Sequence, residues 1–366
     1  MYRVLVIAFR ALGDMVLITP IVRLLKRARP SVHLTVVVDA LSHEVLLHNP
    51  HIDRLVVVDR IAERRLPAAR RWKEEYRRLA DLRAGRFDVA VDVFGGPRSA
   101  LMTWWSGAPA RYGAAEPRLR SRVYTHCARV EPEGEHLVRQ KLKIAAPLIE
   151  PFEDDLALEL VVTPEEAAWG LECLRRHGVE DHDLAMGLFP GAGWAYRRWP
   201  SDKFAALGDR LAAHPRARVL LIGGEQDRDA CAEVAARMAH PSTVLIQRSV
   251  RQTMAILNRL DLFVSNDTGP MHIATGLGRP TVALFGPGNV VKYGPWGGRA
   301  RVLTMGLPCS PCPQWFDPCP AAGRERQECL TRLAVDDVYA AALDLVGLGL
   351  RPEAASIGSS VRAADV

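Results

Sequence analysis

Short apolar runs rich in β-branched residues recur along the chain, with longer helix-like stretches between them. In the first half they fall at Arg3–Phe9, Leu34–Val38, Arg54–Val58 and Asp88–Val93. This rhythm predicts a parallel sheet with helical crossovers. The second half repeats it at Leu184–Phe189, Arg218–Ile222, Val244–Ile246, Asp261–Val264 and Thr281–Leu284, which predicts a second doubly wound sheet. Between the two, residues 150–183 mix Pro151, an acidic cluster at Glu153–Asp155 and a helical segment starting after Pro164. A domain boundary is expected there, dividing the chain into domains 1–165 and 166–350 of an α/β protein. Residues 351–366 are Ala, Ser and Gly with scattered charge, too poor in apolar side chains to pack, and are expected to form a frayed tail.

Doubly wound sheets bind ligands at the carboxyl ends of their strands, so chemistry-bearing motifs should follow strands directly. Ser265-Asn266-Asp267-Thr268-Gly269-Pro270-Met271-His272 does so, and it opens a helix. Asp267 and Thr268 are helix-capping types, Gly269 allows an anion close to the backbone, Pro270 suits a first turn, and His272 could reach the same oxygens. The segment reads as a phosphate cradle or as an ordinary capped turn. Phe285-Gly286-Pro287-Gly288 follows the next strand, either as a second close-approach loop or as a plain tight turn. Near the start, Gly13-Asp14 joins the first strand to a helix carrying Val16, Pro20, Leu24 and Leu25, so Asp14 is either a helix cap or a carboxylate offered to a ligand. After the strand ending at Phe189, a glycine loop leads into Arg197-Arg198-Trp199-Pro200. These guanidinium groups suit diphosphate oxygens; the alternative is exposed arginines beside core tryptophans. Asp227, in Gly223-Gly224-Glu225-Gln226-Asp227, could accept from ribose hydroxyls or cap a helix.

Composition sharpens the picture. A chain of 366 residues exceeds what one hydrophobic core usually serves, consistent with two domains. The apolar stretch Val4–Phe9 is too short for a signal segment and nothing later reaches spanning length, so a cytoplasmic location is expected. Seven cysteines, an odd number, argue for reduced thiols. The net charge of +6 is unevenly placed: between Arg60 and Arg86 ten cations face four acids. That segment is either a solvated helix face or a contact with an anionic inner-membrane surface or a phosphorylated acceptor. No nucleic-acid signature accompanies it. Cys309, Cys312, Cys319 and Cys329 form a proline-rich quartet. Their spacing departs from paired zinc-ribbon motifs, leaving a structural zinc or iron site and inert thiols as the two readings.

Taken together, Ser265–Gly288, Gly13-Asp14…Thr19-Pro20 and Arg197-Arg198-Trp199-Pro200 resemble the ADP-heptose:lipopolysaccharide heptosyltransferases, glycosyltransferase family 9. The resemblance covers most of the chain. It implies two facing Rossmann-like domains of the GT-B type, an amino-terminal one for the acceptor and a carboxyl-terminal one for the nucleotide-sugar. It also implies inverting transfer of heptose from ADP-L-glycero-D-manno-heptose to the lipopolysaccharide inner core, with no catalytic cofactor and no divalent metal at the diphosphate. By residue, Asp14 matches the catalytic base, and Asp267, Thr268, Gly269 and His272 match the diphosphate loop. Arg197 stands where relatives commonly carry lysine, and Asp227 where a ribose-binding glutamate aligns, with Glu225 as substitute. Some relatives carry cysteines at the quartet, and one branch uses a four-cysteine iron site. A transferase of the same fold with another nucleotide-sugar, or a silent nucleotide-binding scaffold, would share these loops.

Overall fold

The computed structural model describes residues 1–149, 156–312, 319, 327–347 and 362–364. The chain divides into two compact units, Met1–Val161 and Val162–Val366.

In the first unit the order is β1 (Arg3–Ala8), α1 (Leu12–Leu17), α2 (Thr19–Ala28), β2 (His33–Asp39), β3 (Arg54–Val58), α3 (Arg60–Arg65), α4 (Ala68–Ala84), β4 (Val89–Asp92), α5 (Pro97–Trp105), β5 (Ala110–Ala114), α6 (Arg118–Ser121), β6 (His126–Ala128) and α7 (Leu137–Ile149). Its six parallel strands lie in the order β3-β2-β1-β4-β5-β6. The central strands are apolar on both faces because helices cover both. Leu5 and Ile7 of β1 pack with Leu79 and Leu82 of α4 and Met102 of α5.

The second unit runs α8 (Pro164–Arg176), β7 (Leu184–Phe189), α9 (Ser201–Ala212), β8 (Ala217–Gly224), α10 (Arg228–Arg237), β9 (Thr243–Gln247), α11 (Val250–Leu257), β10 (Leu262–Asn266), α12 (Gly269–Gly276), β11 (Thr281–Phe285), α13 (Val290–Tyr293), β12 (Ala300–Thr304), α14 (Glu328–Thr331), α15 (Val335–Val346) and β13 (Arg362–Ala364). Its sheet order is β9-β8-β7-β10-β11-β12-β13, parallel except for the last strand. Leaving out β13, the two sheets repeat one pattern, 3-2-1-4-5-6, which reverses direction between the first and fourth strands of each unit. That reversal opens a crevice at the strand ends, between β1 and β4 in one sheet and between β7 and β10 in the other.

Three local expectations need correction. The first helix breaks at Ile18 into α1 and α2. Pro20 lacks an N–H and so suits a first turn rather than a helix interior. Thr19 Oγ1 bonds Val16 O at 2.8 Å and accepts Glu159 N–H at 3.0 Å, holding the break. β5, β6 and β12 carry too few β-branched residues to stand out, and are strands because the neighbouring ladder pairs them. In the expected tail, residues 362–364 add an antiparallel edge strand to β12, because an open edge offers backbone partners to any extended segment. The rest of 351–366 lies outside the described residues.

Candidate functional site

The first crevice is built on β1 and β4. Asp14 lies in the first turn of α1, its side chain 15% exposed, with Arg10 Nε 3.8 Å away. It does not cap the helix: the cap position is Ala11, which lacks a suitable side chain. A carboxylate in a first turn is nevertheless favoured by the helix dipole. Across the crevice, β4 ends in Asp92, fully buried. Its Oδ1 accepts from Phe94 N at 3.2 Å and Gly95 N at 2.8 Å, and its Oδ2 accepts from Tyr124 Oη at 2.7 Å. Burial raises the Asp92 carboxyl above its ordinary range, against the opposing pull of these donors. The turn it braces forms one wall of a cavity of about 380 Å³ lined by Phe9, Arg10, Arg60, Phe94 to Ser99, Glu116, Pro117 and Arg120.

That cavity is cationic. Arg10, Arg60, Arg98 and Arg120 meet a single acid, Glu116, on its lining. Arg10 and Arg60 stand over the Phe94 and Phe9 rings at 5.6 and 5.7 Å, and Arg120 Nη1 donates to Gly95 O at 2.6 Å. Arg60 also pairs with Asp39, and Arg98 with Glu63 and Glu75, so these guanidiniums are held in place behind the cavity.

The second crevice lies between β7 and β10, and Asn266 ties its two sides. Asn266 Nδ2 donates to Pro190 O at 3.0 Å and to Gly191 O at 3.1 Å, while its Oδ1 accepts Trp199 N–H at 2.9 Å. Trp199 is core, 1% exposed, and its indole donates to Leu333 O, whereas Trp194 on the same loop is 58% exposed. The expected pair of core tryptophans is thus one of each kind. The loop presents Arg197, whose Nη1 lies 3.3 Å from Asp267 Oδ2. Burial pushes the Asp267 carboxyl up to about 6, although Arg197 pulls the other way.

Neither Asp267 nor Thr268 caps α12 through its side chain. Thr268 occupies the cap position but its hydroxyl pairs with Ser265 Oγ at 3.0 Å, and Asp267 turns toward Arg197 instead. The N–H groups that open α12 at Gly269 are therefore not consumed by a side-chain cap. His272 lies on the first turn, 5% exposed. Gly288 permits the neighbouring loop to close on this site, since a β-carbon there would lie 2.3 Å from Asp267 Oδ2.

Asp227 is 3% exposed, and its Oδ2 accepts from Gly224 N and Gln226 Nε2, both at 3.1 Å. A β-carbon on Gly191 would lie 2.1 Å from Asp227 Oδ1, so the loop after β7 rests on this carboxylate. Burial raises its pKa, with Arg198 opposing. Glu225, the substitute, is exposed and engages Arg228 at 2.8 Å.

None of the seven cysteines forms a disulfide. Cys309, Cys312, Cys319 and Cys329 are partly exposed, and burial together with the other three thiols pushes Cys329 up to about 11. Among the described residues, no group of three or more His, Cys, Asp or Glu side chains is arranged to hold a metal ion.

Residues 76–320 match the sequence model of glycosyltransferase family 9 (heptosyltransferase). The chain belongs to this family. It is 27% identical over 298 residues to lipopolysaccharide heptosyltransferase 3 of Escherichia coli (strain K12), spanning 78% of this chain and 82% of that protein. It is 26% identical over 328 residues to lipopolysaccharide heptosyltransferase 1 of Pseudomonas aeruginosa, spanning 85% and 86%. The solved glycosyl transferase family 9 structure from Veillonella parvula superposes with a TM-score of 0.82 at 25% identity, over 95% of this chain and 98% of that one.

In this family 9 glycosyltransferase, each strand order places its candidate residues at the sheet's reversal point. Asp14 belongs to one such point, and Asn266, Asp267 and Arg197 to the other. Sequence reasoning passed over Asn266, Asp92, Arg98 and Arg120. Asn266 and Asp92 did carry a signal, as polar residues ending otherwise apolar strands, where burial without partners would be costly. The arginines carried none, since Arg98 and Arg120 reach the cavity only through packing. No helix among the described residues is long and apolar enough to cross a membrane.

Proposed function

We propose that this enzyme transfers heptose from ADP-heptose to the lipopolysaccharide inner core with inversion, in the cytoplasm beside the membrane that carries its acceptor. The observation that supports this most is the division of charge between the two reversal points. A carboxylate beside an arginine-lined cavity lies in one unit, and an arginine at an uncapped helix start lies in the other.

In the reaction, Asp14 takes the proton of the acceptor hydroxyl, whose oxygen attacks the anomeric carbon from the face opposite the diphosphate. The bond from the anomeric carbon to the diphosphate oxygen breaks, and ADP leaves with the electron pair. Arg197 and the N–H groups of Gly269 and Met271, on either side of Pro270, receive the charge that develops on that oxygen. Arginine in place of lysine presents a planar fork able to grip two oxygens. His272 and Thr268 would line the diphosphate. Asp227 would act on the donor from beneath, holding the loop that carries Arg197, rather than by open contact with ribose. The cavity arginines suit an acceptor bearing phosphate or carboxylate groups.

The test is turnover of ADP-heptose with lipopolysaccharide-core acceptors, beside ADP binding measured with and without magnesium. Heptosylated product and a melting shift in chelator support the reading; at about 100 times its dissociation constant ADP should add about 2.7 kcal/mol. Binding of ADP without consumption of ADP-heptose would make the protein a scaffold, and turnover of a different nucleotide-sugar would change the donor.

A further inference from the structure

The long helix α4 carries an apolar stripe that is covered over only half its length. Leu79 and Leu82, toward its carboxyl end, are buried against β1 and α5. One and two turns earlier on the same face, Trp72 and Tyr76 are 71% and 68% exposed. Residues 72, 76 and 79 stand at helical spacing, so the stripe continues past the core without a partner. Leu101, Trp104 and Trp105, at spacings of three and four on α5, are exposed as well, at 44%, 52% and 36%.

The charges around this stripe are sorted. Glu63 and Glu75 are taken by Arg78 and Arg98 in a half-buried four-residue network, and Glu74 is paired with Arg77. Among the described residues, Arg64, Arg65, Arg70, Arg71 and Lys73 are exposed and have no acidic partner. Three of the segment's four acids, Glu63, Glu74 and Glu75, are thus spent on fixing its shape, while Asp81 stands exposed on the last turn of α4, and the five cations left over stand exposed on the segment that carries two aromatic rings that prefer an interface to water.

We infer that this face of α3 and α4, together with the exposed edge of α5, docks on an anionic bilayer surface, with Trp72 and Tyr76 entering the headgroup region and the five unpaired cations meeting lipid phosphates. Amphipathic helices bind membranes by this combination of apolar area and basic charge. The position serves the enzyme. Trp72, Arg64 and Arg71 line a surface cavity of about 380 Å³ that shares Arg60 and Arg98 with the acceptor-side cavity beside Asp14. A docked α4 therefore holds the arginine-lined cavity next to the surface in which a lipid-anchored acceptor lies. This deepens the proposed function by naming the surface at which the acceptor is met.

The experiment is sedimentation of the full chain with vesicles of phosphatidylcholine alone or with about 30% phosphatidylglycerol, with tryptophan emission recorded. Binding with a blue shift on anionic vesicles alone is expected. Trp72→Ala with Tyr76→Ala should weaken binding and reduce the shift, leaving the part that Trp104 and Trp105 of α5 supply. Arg70→Ala, Arg71→Ala and Lys73→Ala together should weaken binding on the order of 100-fold. All five positions are exposed, so melting temperatures should hold; should the aromatic pair fail to fold, the cation variant carries the test. Turnover with a delipidated, water-soluble acceptor should be unaltered in both variants, while turnover with a vesicle-embedded acceptor falls. Absent turnover in the wild type would sink the proposed reaction and leave the vesicle result standing. The docking proposal is overturned by wild-type protein that ignores anionic vesicles, by binding that neither variant weakens, or by a dimer in lipid-free solution that Trp72→Ala and Tyr76→Ala dissolve, which would give the face to a second copy.

Discussion

Arg197 and Asp267 face each other at 3.3 Å, the first presented by the loop after β7 and the second by the end of β10. A carboxylate here is at first sight ill suited to a site for a dianionic diphosphate. Its burial moderates this, because desolvation pushes Asp267 up to about 6, so the carboxyl becomes neutral as pH falls below that value, and the Arg197 guanidinium offsets its charge above it.

The linkage has a definite sign. A carboxyl whose pKa rises on folding contributes stability that is fully present below its unfolded value, near 3.8, and that is lost as pH rises through about 6. Asp267→Asn cannot titrate. Between pH 4 and pH 7 the wild type should therefore lose up to about 3 kcal/mol relative to that variant, whatever the variant's offset from losing the Arg197 pair. Denaturant midpoints at both pH values check this, and a parallel pair of curves would remove the raised pKa. ADP affinity in the wild type should also fall as pH rises through 6, with a flatter profile in the variant.

Asn266 makes three hydrogen bonds that span the two sides of the second crevice. Asn266→Ala leaves Trp199 N–H and two loop carbonyls without it, at a cost of about 1–3 kcal/mol. It should also loosen the loop that carries Arg197. Thermal or denaturant unfolding should show the loss, and ADP titration a weaker complex. A destabilised protein with unchanged ADP affinity would make Asn266 purely structural.

Tyr124 plays the matching part in the first unit, where its hydroxyl donates to the buried Asp92 at 2.7 Å. Tyr124→Phe removes one donor from that carboxylate. Asp92, already raised by burial, should rise further, so the stability lost by the variant should grow as pH increases. Because Asp92 also holds the Phe94–Gly95 turn that walls the arginine cavity, the acceptor KM should increase while ADP affinity stays put. An unchanged acceptor KM would detach this brace from the acceptor.

Several of these features could be read before the fold was known. Nine strands were visible because parallel strands are written as short apolar, β-branched runs, and Arg54–Val58 and Leu184–Phe189 coincide with β3 and β7 residue for residue, although only Val58 of the edge strand β3 is buried. The loops at Asp14, Arg197 and Asp267 were found because they follow such strands directly. What side chains do inside those loops was less legible. Asp14, Asp267 and Thr268 are capping residue types, yet none of the three caps a helix by its side chain: Ala11 and Thr268 hold the cap positions, and the Thr268 hydroxyl pairs with Ser265 instead. Asp227 read either as a ribose contact or as a helix cap, and the packing of Gly191 against its carboxylate was not visible in the sequence. Arg197 with Asp267, and Gly191 with Asp227, are far apart in the chain and meet through the topology of the sheet, which leaves no local mark.

The most direct measurement is the transfer rate of Asp14→Asn, taken together with ADP affinity and melting temperature. Asparagine keeps the size of the side chain in the first turn of α1 and removes only its charge. The dipole contribution lost is about 0.3–1 kcal/mol, and the 3.8 Å pairing with the half-exposed Arg10 adds little, so the fold should hold. ADP affinity should be unchanged, since Arg197 and the α12 start belong to the other unit. If Asp14 is the base, turnover falls by about 10²–10⁴ with no matching change in binding or stability. Turnover within a few-fold of wild type would contradict the account and assign acceptor activation to another group.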